Sequence, residues 1–225
     1  MNTKINADFL NPIEKHTANL AANLNPYYKS LNMTPNHVTT LSLLAGMGAI
    51  YHLLKRQYIW TILFIFISYF FDVSDGNYAR EYNMVSKFGK LYDHFKDVAV
   101  HLSIVYILIV RNNKVSVKTR GIIACVLIIG TLGLSLGEGC MQKYREKHDS
   151  KYKKKRDKEM KNEDGSSDDL LNTFNQLHDQ SYDVFKDMCH DDPDRWIKYS
   201  KYLGGETYIV LLTLLLLSLH YRVLR

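Results

Sequence analysis

Long apolar stretches alternate along the chain with short polar connections and one long charged segment. A helix needs about 17–25 mostly apolar residues to cross a bilayer. Five stretches have this length, and they cover residues 37–54, 59–80, 90–110, 120–139 and 204–221. The pattern therefore predicts an all-α fold, a polytopic membrane helix bundle with five spans.

A further helix is predicted ahead of the first span. Asn11-Pro12-Ile13-Glu14 has the pattern of a helix start with a capping box. Ile13, Leu20, Ala21 and Leu24 then fall on one face. An amphipathic helix of this kind either lies at the membrane interface or packs on the protein itself, and the sequence favours the two equally.

Two local patterns support the first and fourth spans. Thr34 is positioned to cap the first span, with Pro35 as its first helical residue. In the fourth span, Gly133 and Gly137 form a small-xxx-small pair, which permits close helix packing.

Basic residues indicate the orientation of the spans, because cytosolic segments of membrane proteins are enriched in Lys and Arg. With the N-terminus in the cytosol, residues 1–33, 80–90 and 142–202 face inward and hold 20 of the 29 basic residues. The outward segments, with Arg120 at the mouth of the fourth span, hold 8. The bias predicts a cytosolic N-terminus.

The length of 225 residues suits one domain, and most of the Lys and Arg residues predicted to face inward lie in one long loop. An apolar stripe within that loop predicts a helix over 168–188. The predicted division is a cytosolic N-terminal region with the interfacial helix over 1–33, a transmembrane core over 34–141, a charged cytosolic loop and helix over 142–203, and a final transmembrane helix over 204–225.

The three cysteines, Cys125, Cys140 and Cys189, form an odd and widely spaced set. Such a set suggests neither a disulfide framework nor a zinc site.

Four aspartates interrupt the second and third apolar stretches near their adjoining ends. Asp72, Asp75, Gly76 and Ala79 are spaced i, i+3, i+4 and i+7, which is one helix face. Gly89, Asp93 and Asp97 are spaced i, i+4 and i+8, also one face. Both sets fall at the same depth, in the cytosolic third of the bilayer, because each lies a similar distance from the far end of its helix.

If the two faces oppose each other, four carboxylates converge on one point. Uncompensated charges there would repel each other and would lose hydration at large cost, so protons or cations must offset them. A set of carboxylate oxygens suits Mg²⁺ or Mn²⁺, and two such ions about 4 Å apart can clamp a phosphoryl group during transfer. The small residues on the same faces leave room for a large ligand beside the carboxylates.

These residues carry a resemblance to a known family. Eight residues separate the first half of the motif from the second. The motif reads Asp72-x-x-Asp75-Gly76-x-x-Ala79-Arg80, then Gly89-x-x-x-Asp93-x-x-x-Asp97. At every fixed position it resembles the signature of the class-I CDP-alcohol phosphotransferase (CDP-alcohol phosphatidyltransferase) family, and the resemblance covers roughly residues 11–140. It implies a phospholipid-synthesising membrane enzyme that transfers a substituted phosphate from a CDP-alcohol to an acceptor alcohol and releases CMP.

The resemblance also implies roles for individual residues. Asp72, Asp75 and Asp93 would hold two Mg²⁺ or Mn²⁺ ions, with Asp97 as a further ligand, as the general base, or as both. The nucleotide and its phosphates would be bound by Gly76, Ala79, Arg80 and Gly89. Members of the family commonly have six spans, whereas the pattern here predicts five, so a sixth crossing within 168–203 stays open.

The residues around the third aspartate bear on the substrate. Tyr92-Asp93-His94 resembles the choline and ethanolamine phosphotransferases, which favours transfer from CDP-choline or CDP-ethanolamine to diacylglycerol. The alternative is transfer from CDP-diacylglycerol to a polar alcohol. If the donor is CDP-choline or CDP-ethanolamine, His94 could share the role of general base with Asp97. The alternative is that His94 lies at the rim of the site and has no role in the reaction. Lys96 is expected to extend to the membrane interface, or to contact a phosphate.

Other classes of protein explain the aspartates less well. Intramembrane carboxylates also mark the ion paths of channels and transporters, but here they gather at one end of the spans. An inactive scaffold would typically have lost a metal ligand, and no fixed position is lost. The predicted partners are therefore the CDP-alcohol, the acceptor and membrane lipids, without nucleic acid; the organelle and a homodimer stay open.

Overall fold

The computed structural model describes residues 11–111, 116–148, 184–189 and 192–223 of the chain. Every regular element within these ranges is helical, which confirms the predicted all-α class. A π-helical turn at Ile107–Arg111 continues the fourth helix, and a 3₁₀ turn at Lys201–Leu203 joins the last two. The helices are α1 (Pro12–Ser30), α2 (Pro35–Leu54), α3 (Tyr58–Glu81), α4 (Lys87–Tyr106), α5 (Val117–His148), α6 (Pro193–Ser200) and α7 (Gly205–Val223).

Four helical runs among the described residues are long and apolar enough to cross a membrane. They are Pro35–Leu54, Tyr58–Glu81, Val117–His148 and Arg195–Tyr221. These runs coincide with four of the five predicted spans, and they make the chain an integral membrane protein of the polytopic helical kind.

The remaining predicted span, 90–110, lies in α4 and its π-helical turn, and α4 does not qualify by composition. Its first half carries several charges, among them Lys90, Asp93, Lys96 and Asp97. Its other face is apolar and exposed along Phe95, Val98, Leu102 and Tyr106. A helix with one charged and one exposed apolar face suits a position between protein and lipid, so a crossing by α4 stays a prediction.

The chain divides into two compact units. Within the described residues, the first unit holds α1 to α4, the beginning of α5 and most of α7. The second unit holds the rest of α5, residues 184–189, α6 and the start of α7. The boundaries at 34, 142 and 204 that the sequence predicts stay predictions.

In the first unit, α2 packs against both α3 and α4, and α1 packs against α3. Tyr28, Val38 and Tyr78 form a buried core, in which the rings of Tyr28 and Tyr78 meet edge to face at 5.6 Å. The Tyr78 hydroxyl donates a hydrogen bond to the carbonyl of Met33 at 2.8 Å, which fixes the connection between α1 and α2.

Helix α1 presents different residues to the protein and to its surroundings. Its buried side chains are Ala18, Ala21, Asn25 and Tyr28. Ile13 and Leu20 are exposed, although Ala21 on the predicted common face is buried. Packing on the protein thus accounts for one face of α1, and contact of the exposed apolar side chains with the membrane interface stays a prediction.

The start of α2 follows the sequence pattern. Thr34 is the N-cap and Pro35 is the first helical residue. The backbone N–H of Thr34 donates to Nδ1 of His37 at 3.1 Å, which satisfies an amide group that has no partner within the helix. Further along α2, Gly46 permits a close approach of α4. A Cβ at Gly46 would lie 2.8 Å from a methyl group of Val100.

The second unit corrects the interpretation of the cysteines. Cys140 near the end of α5 and Cys189 are joined by a disulfide, with Cα atoms 5.2 Å apart. The expectation of no disulfide was therefore wrong, because partners 49 residues apart in sequence are recognised only once the fold brings them together. Gly137 lies against the backbone of Leu203, where an added Cβ would come within 3.0 Å of the carbonyl oxygen.

The helix predicted over 168–188 lies outside the described residues except for a helical turn at 184–188.

Candidate metal and substrate site

The most buried carboxylate of the first unit is held by a threonine from a neighbouring helix. Asp75 lies in the last third of α3 and is 6% exposed. Thr39, on α2, donates its hydroxyl to Oδ2 of Asp75 at 2.6 Å. Because α2 and α3 pack along their length, the threonine fixes the rotamer of the carboxylate in the helix interface.

Three of the four predicted carboxylates come together in space. Asp72, Asp75 and Asp93 each offer an oxygen, and these oxygens all lie within 4.8 Å of one another. The first two share a face of α3 one turn apart, and the third comes from α4. This is the spacing at which a single cation can bind all three groups.

One carboxylate oxygen of Asp93 has an environment that fits a cation. Oδ1 of Asp93 is buried and accepts no hydrogen bond from the described residues, although Nζ of Lys96 lies 3.1 Å away in an ion pair. A carboxylate oxygen can accept more than one partner, so a metal ion can bind Oδ1 of Asp93 beside its ion pair with Lys96. The chemistry of the ligand set, carboxylate oxygens alone, fits Mg²⁺ or Mn²⁺.

Lys96 does not extend to the membrane interface, so that expectation was wrong. The residue is 2% exposed, and its ammonium contacts the carboxylates of Asp72, Asp93 and Asp97. It also donates to the hydroxyl of Ser42 at 3.1 Å. Attraction by three carboxylates holds the side chain inward, because burying the ammonium is favourable only where charges of the opposite sign surround it.

Asp97 stands apart from the other three carboxylates. Its Oδ1 pairs with Lys96 at 2.8 Å, and its side chain is 54% exposed. It does not belong to the group of oxygens within 4.8 Å that the other three form. Asp97 is therefore the carboxylate of the cluster that an approaching ligand reaches most easily.

The small residues of the motif lie beside charged or capping groups. A Cβ added to Gly76 would come 3.1 Å from Nη1 of Arg80, so the guanidinium lies against the glycine. A Cβ on Gly89 would lie 2.9 Å from the hydroxyl of Ser86 and 3.0 Å from Oδ1 of Asn36. Ser86 caps α4 by accepting from the N–H of Gly89, so this glycine also serves the helix start. Ala79 is partly buried on α3.

Among the described residues, His94 is not one of those whose ligand atoms form the group within 4.8 Å. His94 is exposed on α4, one residue beyond Asp93. A further residue that the sequence marks near the end of the fourth predicted span is Glu138, either as a candidate for the acceptor site or as a solvated helix end; it is partly buried on α5 and belongs to the second unit.

Sequence reasoning missed the polar residues that support the cluster from α2. Ser42 donates to the carbonyl of Ser68 at 2.8 Å, and the hydroxyl of Ser68 donates to the carbonyl of Ser42 at 2.9 Å. Thr39 and Ser42 are three residues apart on α2, and both are buried. That spacing of polar residues on one face of a span was the available signal.

A second polar contact ties α1 to the same end of α3. Nδ2 of Asn25 donates to Oδ1 of Asn77 at 3.0 Å and to Oε2 of Glu81 at 2.6 Å. Asn25 is fully buried, and Glu81 directly follows Arg80 in the chain. Helix α1 thus supports the part of α3 that carries the arginine.

Comparisons with known proteins agree with the geometry. A family model described as CDP-alcohol phosphatidyltransferase matches residues 32–158, which include the whole motif. The chain is also similar to the CDP-diacylglycerol–serine O-phosphatidyltransferase of Bacillus subtilis (strain 168), with 37% identity over 68 residues. That alignment covers 30% of this chain and 38% of the relative's length. No solved structure matches the chain.

Proposed function

The chain belongs to the CDP-alcohol phosphatidyltransferase family, and on that basis we propose that it transfers a substituted phosphate from a CDP-alcohol to an acceptor alcohol, releasing CMP. The product would be a phospholipid or a phospholipid precursor. The observation that carries the proposal is the convergence of Asp72, Asp75 and Asp93 from two helices onto one cation-sized space.

Mg²⁺ or Mn²⁺ is the proposed cofactor. Asp72, Asp75 and Asp93 would hold the ion, and Thr39 would keep Asp75 turned toward it. When bound, the ion would offset the negative charge of the donor's phosphates and of the departing CMP. The sequence predicts two ions. The three oxygens of Asp72, Asp75 and Asp93, called the oxygen triad below, account directly for one of them.

The remaining residues of the motif would bind and deprotonate the substrates. We assign Arg80 to a phosphate of the donor, because its guanidinium lies against Gly76 where the helix face carries no side chain. Gly76, Ala79 and Gly89 would leave space for the nucleotide. Asp97, exposed and outside the triad, would accept the proton of the acceptor hydroxyl as it attacks phosphorus.

Two classes of donor are each supported by one observation. The relative is named for CDP-diacylglycerol and serine, which favours a lipid-linked donor with a small polar acceptor. The Tyr92-Asp93-His94 triplet favours CDP-choline or CDP-ethanolamine with diacylglycerol as acceptor, and His94 would then assist Asp97 in proton transfer.

The donor classes are separated by incubating the purified protein with one donor and one acceptor at a time and measuring CMP. If the donor is CDP-diacylglycerol, CMP should be released from it only when a polar alcohol such as serine is present. If the donor is CDP-choline or CDP-ethanolamine, CMP should be released from it only when diacylglycerol is present. His94→Ala should slow the second reaction more than the first, with Lys90→Ala on the same helix as the control.

We propose that the cluster opens to the cytosol, along with the N-terminus and residues 142–202. The distribution of Lys and Arg supports this orientation. The disulfide between Cys140 and Cys189 favours the opposite one, because disulfides persist mainly in oxidising compartments.

Labelling in sealed vesicles whose cytosolic face is enclosed decides between the two orientations. In a chain carrying Cys125→Ser, Cys140→Ser, Cys189→Ser and Gly165→Cys, a membrane-impermeant maleimide should react only after the membrane is opened. Reaction from the non-cytosolic side without opening would reverse the proposed orientation. A matched chain with a cysteine in the connection at 55–57 should show the opposite pattern.

A further inference from the structure

The carboxylate cluster already contains a cation that belongs to the chain. The ammonium of Lys96 contacts Asp72, Asp93 and Asp97, and so touches three of the four acidic groups of the motif. The side chain is almost completely buried. No sequence rule for the motif requires a charge at this position, which lies between two of its fixed residues.

The position of Lys96 is built by three helices. Lys96 comes from α4, Asp72 comes from α3, and Ser42 on α2 accepts a hydrogen bond from the ammonium. Ser42 is in turn held by its exchange of hydrogen bonds with Ser68 on α3. Gly46 allows α4 to approach closely enough for this contact, because its missing side chain accommodates Val100.

Two carboxylates belong to the oxygen triad and also contact the Lys96 ammonium. Asp72 and Asp93 belong to the three oxygens that could bind one cation, and both also contact Lys96. Asp97 contacts Lys96 and lies outside the triad. The carboxylates therefore define two neighbouring cation positions, one bounded by Asp72, Asp75 and Asp93, and the other filled by the ammonium.

We propose that the Lys96 ammonium is the second cation of this site, and that it takes the place of one of the two divalent ions predicted from the motif. The chain would then bind a single divalent ion per molecule, at the triad. The inference rests on the proposed metal site. It assigns Lys96 a positioning role, in which the ammonium holds Asp72, Asp93 and Asp97 together in the absence of a second ion.

Counting bound Mn²⁺ per purified chain by equilibrium dialysis tests this assignment without reference to activity. The wild-type protein is expected to bind one Mn²⁺. Lys96→Met, which keeps the length of the side chain and removes its charge, is expected to bind two. Lys90→Met removes an exposed lysine from the same helix and should leave the number at one.

The outcomes separate this inference from the proposed function. Two ions in the wild-type protein, or one ion in Lys96→Met, would overturn the role of Lys96 and leave the metal site in place. No bound Mn²⁺ in any of the three proteins would overturn the metal site itself, and the inference with it.

Thermal unfolding in EDTA provides a second readout. Removing the ammonium leaves several carboxylates uncompensated, so Lys96→Met should unfold about 6–20 °C lower than the wild-type protein in EDTA and recover with Mn²⁺. Lys96→Met combined with Asp97→Asn removes one charge of each sign and should recover part of this loss even in EDTA. Equal midpoints for wild-type protein and Lys96→Met in EDTA would contradict the proposal, and so would a double variant no more stable than Lys96→Met.

Discussion

Asp75→Asn is expected to lose nearly all CMP release at ordinary Mg²⁺ concentrations and to recover part of it at high Mn²⁺. Asp75 is the most buried of the four carboxylates, and its oxygen belongs to the triad. The amide keeps the volume and can still accept the hydrogen bond from Thr39, but it lacks the charge that holds a cation. Metal affinity, measured by calorimetry, should fall by more than about tenfold, since replacing even a supporting residue outside the ligand set costs 10–100-fold.

Asp97→Asn should behave differently, because Asp97 lies outside the triad and is accessible to an acceptor. This variant should retain metal and donor binding, while turnover falls by roughly 10²–10⁴, the range for losing general-base catalysis. Donor binding and single-turnover CMP release would be measured for both variants across a Mn²⁺ titration. Asp187→Asn, an exposed residue of the second unit, controls for the loss of a carboxylate.

If high Mn²⁺ rescues Asp97→Asn as well as it rescues Asp75→Asn, Asp97 is a ligand like the others. The proton would then be accepted by His94 or by water.

Gly76→Leu is expected to abolish CMP release while the protein still inserts and purifies. A Cβ at this position already comes within 3.1 Å of the Arg80 guanidinium, and the longer side chain would fill the proposed slot beside the carboxylates. Displacement of a positioning group by about 1 Å can cost about 10²-fold in rate. Gly76→Ala should cause a smaller loss, because the guanidinium lies at the end of a flexible side chain and can shift.

Gly121→Leu is the matched control for Gly76→Leu. Gly121 also lies within a helix, but a Cβ there would meet no atom within 4 Å, so the substitution changes helix propensity without filling a contact. Donor affinity and CMP release would be measured for both variants. Unchanged donor affinity in Gly76→Leu would mean that the glycine serves only the packing of α3.

Regular patterns in the sequence were enough to predict the helices and the cluster. Apolar length marked the spans at α2, α3, α5 and α7, and helical spacing placed Asp72 and Asp75 on one face of α3. The structure brings both together with Asp93. These features depend on short-range periodicity, which a single sequence records directly.

Features that depend on which side chains meet could not be predicted in this way. The sequence shows that Lys96 is charged and predicts that it lies on a helix. Whether its side chain turns outward or inward depends on Asp72 and Ser42, which come from two other helices and meet it beside the carboxylates of its own helix. The disulfide is of the same kind, since Cys140 and Cys189 are distant in the chain. The support of Asp75 by Thr39 likewise required the register between α2 and α3.

The central claim is that a cation held by this cluster supports transfer of a substituted phosphate from a CDP-alcohol. The most direct test measures CMP from purified wild-type protein supplied with the CDP-alcohols and acceptors named above. The measurement is made with Mg²⁺ or Mn²⁺, again in excess EDTA, and again after Mn²⁺ is restored. We expect CMP release from at least one donor with its acceptor, its loss in EDTA, and its return with Mn²⁺. Full release in EDTA, or no release from any donor by folded protein, would contradict the account.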